Sequence, residues 1–138
     1  MTYYVALKPA PDRYTSIYLL DSNGKAVDYP AYVVSGVNST FNVYVDVENH
    51  LGSTLTDAQV QVKITSQTNP TFPLDVNATD TFTGTVKDGA TWQNLATVSL
   101  TQPGNYFVVF ELWIPNGNGN GQQFSGQYAT LSVQVAAS

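Results

Sequence analysis

Apolar and polar side chains alternate one by one through most of this chain. That period of two most constrains the fold, because it belongs to β-strands with one buried face. The clearest run is residues 40–49, which predicts a central strand of an antiparallel sheet. Its inward set is Phe41, Val43, Val45 and Val47. Similar alternation predicts further strands at residues 15–20, 58–65, 79–86, 92–100, 106–114 and 128–135. Helical spacing of apolar residues is nearly absent.

Turn-forming residues separate these strands. An opening hairpin at residues 15–29 turns at Asn23-Gly24, which supplies the positive φ angles of a tight turn. Two prolines within residues 67–77 predict an irregular crossing between sheets. A Pro-Gly bend followed by Tyr106 at the start of a strand resembles the tyrosine corner of immunoglobulin-like sandwiches.

About seven to nine short strands without helices predict an all-β fold. The expected architecture is an immunoglobulin-like antiparallel β-sandwich of two sheets with Greek-key connections. Residues 1–138 are expected to form a single domain, because this length suits one hydrophobic core. Within that domain, residues 1–11 are expected to form an N-terminal edge strand and a proline-containing connector.

The composition excludes some partners and indicates a compartment. The net charge is −5 and the chain has only five Lys and Arg residues, so no basic surface for nucleic acid is expected. Charged residues make up 11% of the chain, and neutral polar residues replace them, as is common outside the cell. We therefore expect an extracytoplasmic protein, at a cell surface or secreted. No apolar run reaches the length of a membrane-spanning helix, and a core of this size needs no cofactor to fold.

No motif indicates catalytic chemistry. His50 is the only histidine and cysteine is absent, so the sequence offers neither a cluster of metal ligands nor a nucleophilic triad. We therefore predict that the protein is not an enzyme and has no catalytic residue and no cofactor site. His50 is interpreted as a turn residue that bonds to local backbone.

Weaker signals concern ions and glycans. Asp75, Asn77 and Asp80 fall close together in the crossing loop and are the candidate calcium ligands, although calcium prefers six to eight oxygen ligands. Another group of Asp and Asn residues, at residues 21–28, is better explained by turn formation. Asn38 and Asn77 each open an Asn-X-Ser/Thr sequon and are the glycosylation candidates.

The strand at residues 106–114 is apolar on both faces. Phe107, Val109 and Trp113 lie on the face opposite the predicted core, and Tyr44 is expected to extend this interaction patch. A strand with one face in water should not carry such residues there. Either the 67–77 or the 116–127 loop covers the patch, or a protein partner or a stacked sugar binds it.

Part of the sequence resembles a known family. The residues that carry the resemblance are Arg13 to Leu20, Asn23 to Ala26, Asp28 to Pro30, Gly36 and Val47 to Gly52. The pattern of an aromatic-rich strand, Gly-Lys-Ala-x-Asp-Tyr-Pro, a glycine and a strand ending Asn-His-x-Gly is similar to that of an uncharacterised, mostly archaeal family of predicted membrane proteins. The similarity is to the extracytoplasmic domain of these proteins, domain of unknown function family 1616.

This resemblance implies a surface-exposed domain that is attached to membrane spans in its relatives. It also implies that Asn49 and His50 belong to a structural turn signature, and that residues 14–30 are the first hairpin of the sandwich. The chain departs from the pattern because it has no span and carries Ser16 where the family has an acidic residue. The family has no activity to carry over.

We therefore expect a non-enzymatic cell-surface module that acts as a structural spacer or protein-interaction domain. Self-association into a surface assembly is a variant, in which the strand at residues 2–7 adds to the sheet edge of a neighbouring copy. The alternative is a carbohydrate-binding module that stacks sugars on exposed Trp or Tyr rings, with Trp92 and Trp113 as the tryptophan candidates.

Overall fold

The computed structural model describes residues 15–20, 31–34, 40–116 and 121–137, which contain eight β-strands and no helix. The strands are β1 (Thr15–Leu20), β2 (Ala31–Val34), β3 (Thr40–Asn49), β4 (Leu55–Thr65), β5 (Asp80–Val86), β6 (Thr91–Ser99), β7 (Gly104–Pro115) and β8 (Gln122–Ala136). The predicted all-β fold is confirmed. The expected edge strand within residues 1–11 and the returning segment at residues 25–29 lie outside the described residues.

The strands form two sheets. One has three strands in the order β1-β3-β6, and the other has five in the order β2-β8-β7-β4-β5. As predicted, β3 is the central strand of its sheet and pairs antiparallel with both neighbours. Only the β4–β5 and β7–β8 connections join neighbours within one sheet. The other connections cross between sheets, which gives the Greek-key interleaving of a sandwich.

Strand β2 departs from the expected antiparallel pattern. It pairs parallel with β8, with Ala31 opposite Val133 and Val34 opposite Ala136. The sequence does not predict this strand, because its four residues, Ala-Tyr-Val-Val, show no apolar-polar alternation.

The core lies between the two sheets and is filled mainly by β-branched and aliphatic side chains, which pack well on a pleated surface. Its fully or almost fully buried members include Val43, Val45, Val47, Val60, Val62, Val108, Phe110, Leu112, Ala129, Leu131 and Val133. The three valines predicted to face inward on β3 are all in this set. Phe41 packs against the core but is only partly buried.

A tyrosine corner joins the β6–β7 crossing to β7. The hydroxyl of Tyr106 donates a hydrogen bond to the carbonyl of Gln102, at 3.0 Å. Gly104, at the bend, has a φ of +149°, and a Cβ there would lie 3.5 Å from the tyrosine ring. The corner that the Pro-Gly bend predicts is therefore confirmed, and it fixes where β7 begins.

Candidate functional site

The outer face of the five-stranded sheet, the side turned away from the core, contains the doubly apolar part of β7. Alternate residues of β7 point into the core, so the outer face carries Phe107, Val109, Glu111 and Trp113. Val109 is fully buried, whereas Phe107 and Trp113 are partly buried. Protein atoms therefore cover much of this face.

The segment between β4 and β5 supplies part of the cover. Its Leu74 is buried, and the Leu74 N–H donates to Oε2 of Glu111 at 2.7 Å. The carbonyl of Leu74 accepts a hydrogen bond from Nζ of Lys63 at 3.0 Å. Phe72, from the same segment, stacks on Tyr128 of β8 with ring centroids 4.1 Å apart. Of the alternatives considered for this face, the structure shows cover by the 67–77 segment, through Phe72 and Leu74.

A buried ion pair anchors this loop to the sheet. Nζ of Lys63, on β4, lies 2.8 Å from Oε1 of Glu111, on β7, and the two side chains are 6% and 0% exposed. The indole N–H of Trp113 donates to the same carboxylate at 3.1 Å, and Lys63 Nζ lies 5.2 Å from the centroid of the Trp113 ring. Buried charges are tolerated when they are paired and hydrogen-bonded, and both conditions are met here.

The outer cluster, defined as Lys63, Leu74, Glu111 and Trp113, has three buried members and the partly buried Trp113, and its polar groups are engaged with one another. Both carboxylate oxygens of Glu111 accept hydrogen bonds, and the ammonium group of Lys63 contacts a carboxylate and a carbonyl. A buried lysine beside a carboxylate is a common sign of acid-base chemistry. In this protein the pair holds the loop in place.

Sequence reasoning places Glu111 beside Trp113 on the outer face but misses Lys63. The pairing depends on the β4–β7 register, which sets Lys63 opposite Val109 and Gln61 opposite Glu111. The available signal was that Lys63 is the only basic residue in the otherwise neutral alternation at residues 58–65.

The four residues of the predicted interaction patch do not form one surface. Tyr44 lies on β3, in the three-stranded sheet, and the residues on either side of it, Val43 and Val45, fill the core. The prediction that Tyr44 extends the patch is wrong, because the outer faces of the two sheets point in opposite directions. Val109 is buried in addition, which leaves Phe107 and Trp113 as the partly accessible members.

Phe107 lines a pocket of about 170 Å³ at one end of the outer face. The other lining residues are uncharged, namely Ser66, Gln67, Thr68, Asn105, Tyr106 and Ser132. A pocket of about 450 Å³ lies at the other end of β7 and is lined by Asp57, Thr83, Pro115, Asn116, Gly121 and Gln122. The first pocket has hydroxyl groups but no carboxylate, histidine or lysine beside them to act as a base.

The two tryptophans are both engaged with protein groups. Trp113 packs against Phe124, with centroids 5.7 Å apart, in addition to its contacts with Glu111 and Lys63. Trp92, on β6, packs against the core and lies over Gly84 of β5. A Cβ added at Gly84 would come within 2.8 Å of the indole ring.

Asn49 organises the turns at one end of the sandwich and is 0% exposed. Its Nδ2 donates to the carbonyls of Ser53 and Val86, at 2.9 and 2.8 Å, and its Oδ1 accepts from the N–H of Leu51 at 2.9 Å. Its backbone N–H and carbonyl bond to the turn at residues 87–90. The structural turn role that the resemblance implies is confirmed for Asn49.

His50 follows in the same turn and is exposed. Its Nε2 lies 3.5 Å from Oε1 of Glu48. The residue therefore does lie in a turn as predicted, but the contact is with a carboxylate rather than with local backbone.

The remaining site candidates lie in or near the crossing loop. Asp75, Asn77 and Asp80 are all exposed, and Oδ1 of Asp80 accepts the N–H of Thr81 at 2.9 Å. Within the described part of the chain, no three His, Cys, Asp or Glu residues are grouped so that they could hold a metal ion.

The sequon residue Asn77 is exposed, and Asn38 lies outside the described residues. The same described ranges contain no helix that is long and apolar enough to cross a membrane.

The fold is similar to that of solved domains with low sequence identity. The crystal structure of the CARDB domain of the PF1109 protein from Pyrococcus furiosus, in complex with di-metal ions, has a TM-score of 0.61, with 15% identity and coverage of 100% of both chains. The solution NMR structure of that domain has a TM-score of 0.58, with 15% identity and coverage of 90% of this chain and 97% of the other. The crystal structure of the C-terminal domain of wzt has a TM-score of 0.52, with 12% identity and coverage of 95% and 83%. At these identities, the likeness shows the fold alone.

No curated protein matches the chain. The family model described as Domain of unknown function (DUF1616) matches residues 8–129. This range covers strands β1 to β7 and residues 122–129 of β8. It therefore extends well beyond the N-terminal half that carries the sequence resemblance.

Proposed function

Since this chain belongs to the family described as Domain of unknown function (DUF1616), we propose that it is a non-enzymatic, extracytoplasmic β-sandwich module. In this role it acts as a structural spacer or as a protein-interaction domain at a cell surface. Its partner is another protein or a second copy of the chain.

The outer cluster is the observation that carries this proposal. Lys63 and Glu111 are the pair best placed for acid-base chemistry among the described residues, and their polar groups are occupied in fixing a loop. A substrate would have to displace Leu74 to reach either charge. Buried polar groups that are fully satisfied make a structure rigid, which suits a spacer or a docking module.

Composition supports the extracytoplasmic location. With 11% charged residues, the chain presents mostly Thr, Ser, Asn, Gln and Tyr as its polar groups, which is common for proteins outside the cell. The resemblance described above, to domains attached to membrane spans, points to the same side of the membrane.

The glycan-binding alternative gains no support from the tryptophans. Sugar binding by stacking needs an aromatic ring with an open face. Trp113 is engaged by Lys63, Glu111 and Phe124, and Trp92 packs on the core over Gly84. We therefore place protein interaction ahead of glycan binding.

The location can be tested by labelling intact cells of the source organism with a membrane-impermeant amine reagent and then capturing the full-length protein. We expect labelling before lysis, while an abundant cytoplasmic protein in the same cells stays unlabelled. Labelling of the chain only after lysis would contradict the proposal.

A separate experiment tests the N-terminal route to self-association. Deletion of residues 1–10, followed by measurement of mass in solution, should reduce assembly if the strand at residues 2–7 adds to a neighbour. Unchanged assembly removes that route and leaves the rest of the proposal in place.

A further inference from the structure

Strand β6 forms one edge of the three-stranded sheet. Among the described residues it pairs only with β3, in a continuous antiparallel register from Thr91 to Ser99 without a bulge. Its sequence, Thr-Trp-Gln-Asn-Leu-Ala-Thr-Val-Ser, contains no charged residue and no proline.

Such an edge is a template for another strand. An edge strand presents unpaired backbone N–H and C=O groups, and proteins normally protect it with lysine, proline, bulges or a very short length. β6 is nine residues long and has none of these protections in the described structure. No strand among the described residues pairs with the outer edge of β6, so its outward backbone groups are available for pairing there.

Leu95 marks the centre of this edge. It is the middle residue of β6 and is 45% exposed, which makes it one of two large hydrophobic residues with such exposure in the described structure. Its cross-strand neighbour on the outer face of the sheet is Tyr44. The two side chains form a small apolar centre, with Thr91, Gln93, Thr97 and Ser99 as the exposed polar residues on either side of it along β6.

We propose that β6 pairs antiparallel with β6 of a second copy across a two-fold axis at Leu95. This register sets Leu95 against Leu95 of the partner subunit, Gln93 against Thr97 of the partner subunit, and Thr91 against Ser99 of the partner subunit. The two sheets join into one six-stranded sheet, with the tyrosines of both copies flanking the leucine pair. The inference rests on the proposed function, because it names the partner and the surface of the interaction module.

Self-complementarity of the edge favours a second copy as the occupant, and the absence of charge on β6 permits it. Copies of a chain with a net charge of −5 repel each other overall, and an uncharged contact surface adds no local repulsion to this. β6 is neutral throughout, and the nearby edge strand β5 of the other sheet exposes Thr81, Thr83 and Thr85 after the exposed Asp80 at its start. The two-fold register also makes every exposed pair across the edge uncharged, and it buries the exposed leucine against its equivalent.

The first test measures the mass of the full chain by sedimentation equilibrium over a range of concentrations. The wild type should approach twice 14.9 kDa, whereas Leu95→Lys should stay close to 14.9 kDa. Two lysines that face each other across the axis should raise the dissociation constant at least about tenfold. Val76→Lys is the matched control, because Val76 is 40% exposed but lies in the crossing loop, and it should leave the dissociation constant unchanged.

The second test uses the absence of cysteine from the chain. Under mild oxidation, Leu95→Cys should form a covalent dimer quickly, because facing residues in paired strands are about 5 Å apart. Gln93→Cys is the control on the same face of the same strand. In the proposed register the two Gln93 positions are about 13 Å apart, so that variant should cross-link far more slowly.

A wild-type chain that stays monomeric at the highest concentration overturns the edge pairing, and so does an unchanged mass for Leu95→Lys. Equal cross-linking at positions 93 and 95 overturns the two-fold register. These outcomes are distinct from failure of the proposed function. A monomer that is labelled on intact cells remains a surface module, and a dimer that is labelled only after lysis has the paired edge but not the proposed location.

Discussion

At the scale of single residues, Asn49 connects its own turn, residues 49–53, to residues 86–90, which are distant in sequence. Its side chain bonds to the turn after β3 and to the end of β5, and its backbone bonds to the turn before β6. If this buried amide is removed, the backbone groups that it bonds lose their hydrogen-bond partner, and each buried group left unpaired costs stability. The Asn-His-x-Gly end of β3 therefore encodes the arrangement of a whole end of the sandwich.

Replacement of Asn49 by Ala should lower the free energy of unfolding by about 2–4 kcal/mol, because several buried groups lose their partners together. Urea denaturation followed by circular dichroism measures this loss. Asn42→Ala, at an exposed position in the same strand, is the control and should cost about 0.5 kcal/mol or less. Equal losses for the two variants would contradict the structural role of Asn49.

At Gln127, in contrast to Asn49, we expect a substitution to stabilise the protein. Its side chain is 1% exposed, and both atoms of its amide group are buried without a hydrogen-bond partner. Gln127→Met keeps the length of the side chain and removes the unpaired polar atoms, so it should stabilise the protein by about 1–2 kcal/mol. Gln123→Met, at an exposed position in the same strand, should change stability little. A destabilised Gln127→Met would show that the amide has a partner in solution.

At the scale of elements, the segment between β4 and β5 is held by side chains of the sheet beneath it. Lys63 and Glu111 come from neighbouring strands, and both bond to the backbone of Leu74. The position of the loop therefore depends on an ion pair that the loop itself covers. Removal of either charged group leaves the other one buried without its partner, which lowers stability.

Lys63→Met and Glu111→Gln should each lower the free energy of unfolding by about 3–5 kcal/mol. The double variant should cost less than the sum of the two, because neither charge is then left buried alone. Limited proteolysis should also cut residues 66–79 faster in each single variant than in the wild type. Additive costs in the double-mutant cycle would show that the two residues act independently.

At the scale of the whole molecule, the two sheets are joined at one side by the contact of β5 with β6. Trp92 of the three-stranded sheet lies over Gly84 of the five-stranded sheet, and the fit leaves no room for a Cβ. Glycine at this position is required by the close approach of the ring rather than by backbone conformation.

Gly84→Ala should therefore move the indole and lower the free energy of unfolding by about 1–3 kcal/mol, the usual cost of overpacking. Thermal unfolding and near-ultraviolet circular dichroism report the stability and the movement of the ring. Thr85→Ala is the control, at the next and exposed position of β5. A wild-type spectrum and melting temperature for Gly84→Ala would contradict the close contact.

Much of this architecture follows from sequence, and the rest depends on register. The two-residue period of β3 and the bend before Tyr106 predict the sandwich and its tyrosine corner, because both are local signals. The Lys63–Glu111 pair and the separation of Tyr44 from Trp113 depend on which strands become neighbours, which alternation along one strand does not specify. β2 escapes prediction because it is short and gains its pairing from β8 alone.

The parallel pairing of β2 with β8 has a mechanical consequence. Opposite pulls applied at the start of β2 and at the end of β8 draw these parallel neighbours past each other along their length. The bonds between Ala31–Val34 and residues 133–136 then resist the pull together, whereas the bonds of a hairpin open one after another from its mouth. This pairing would therefore resist a change in length between the start of β2 and the end of β8.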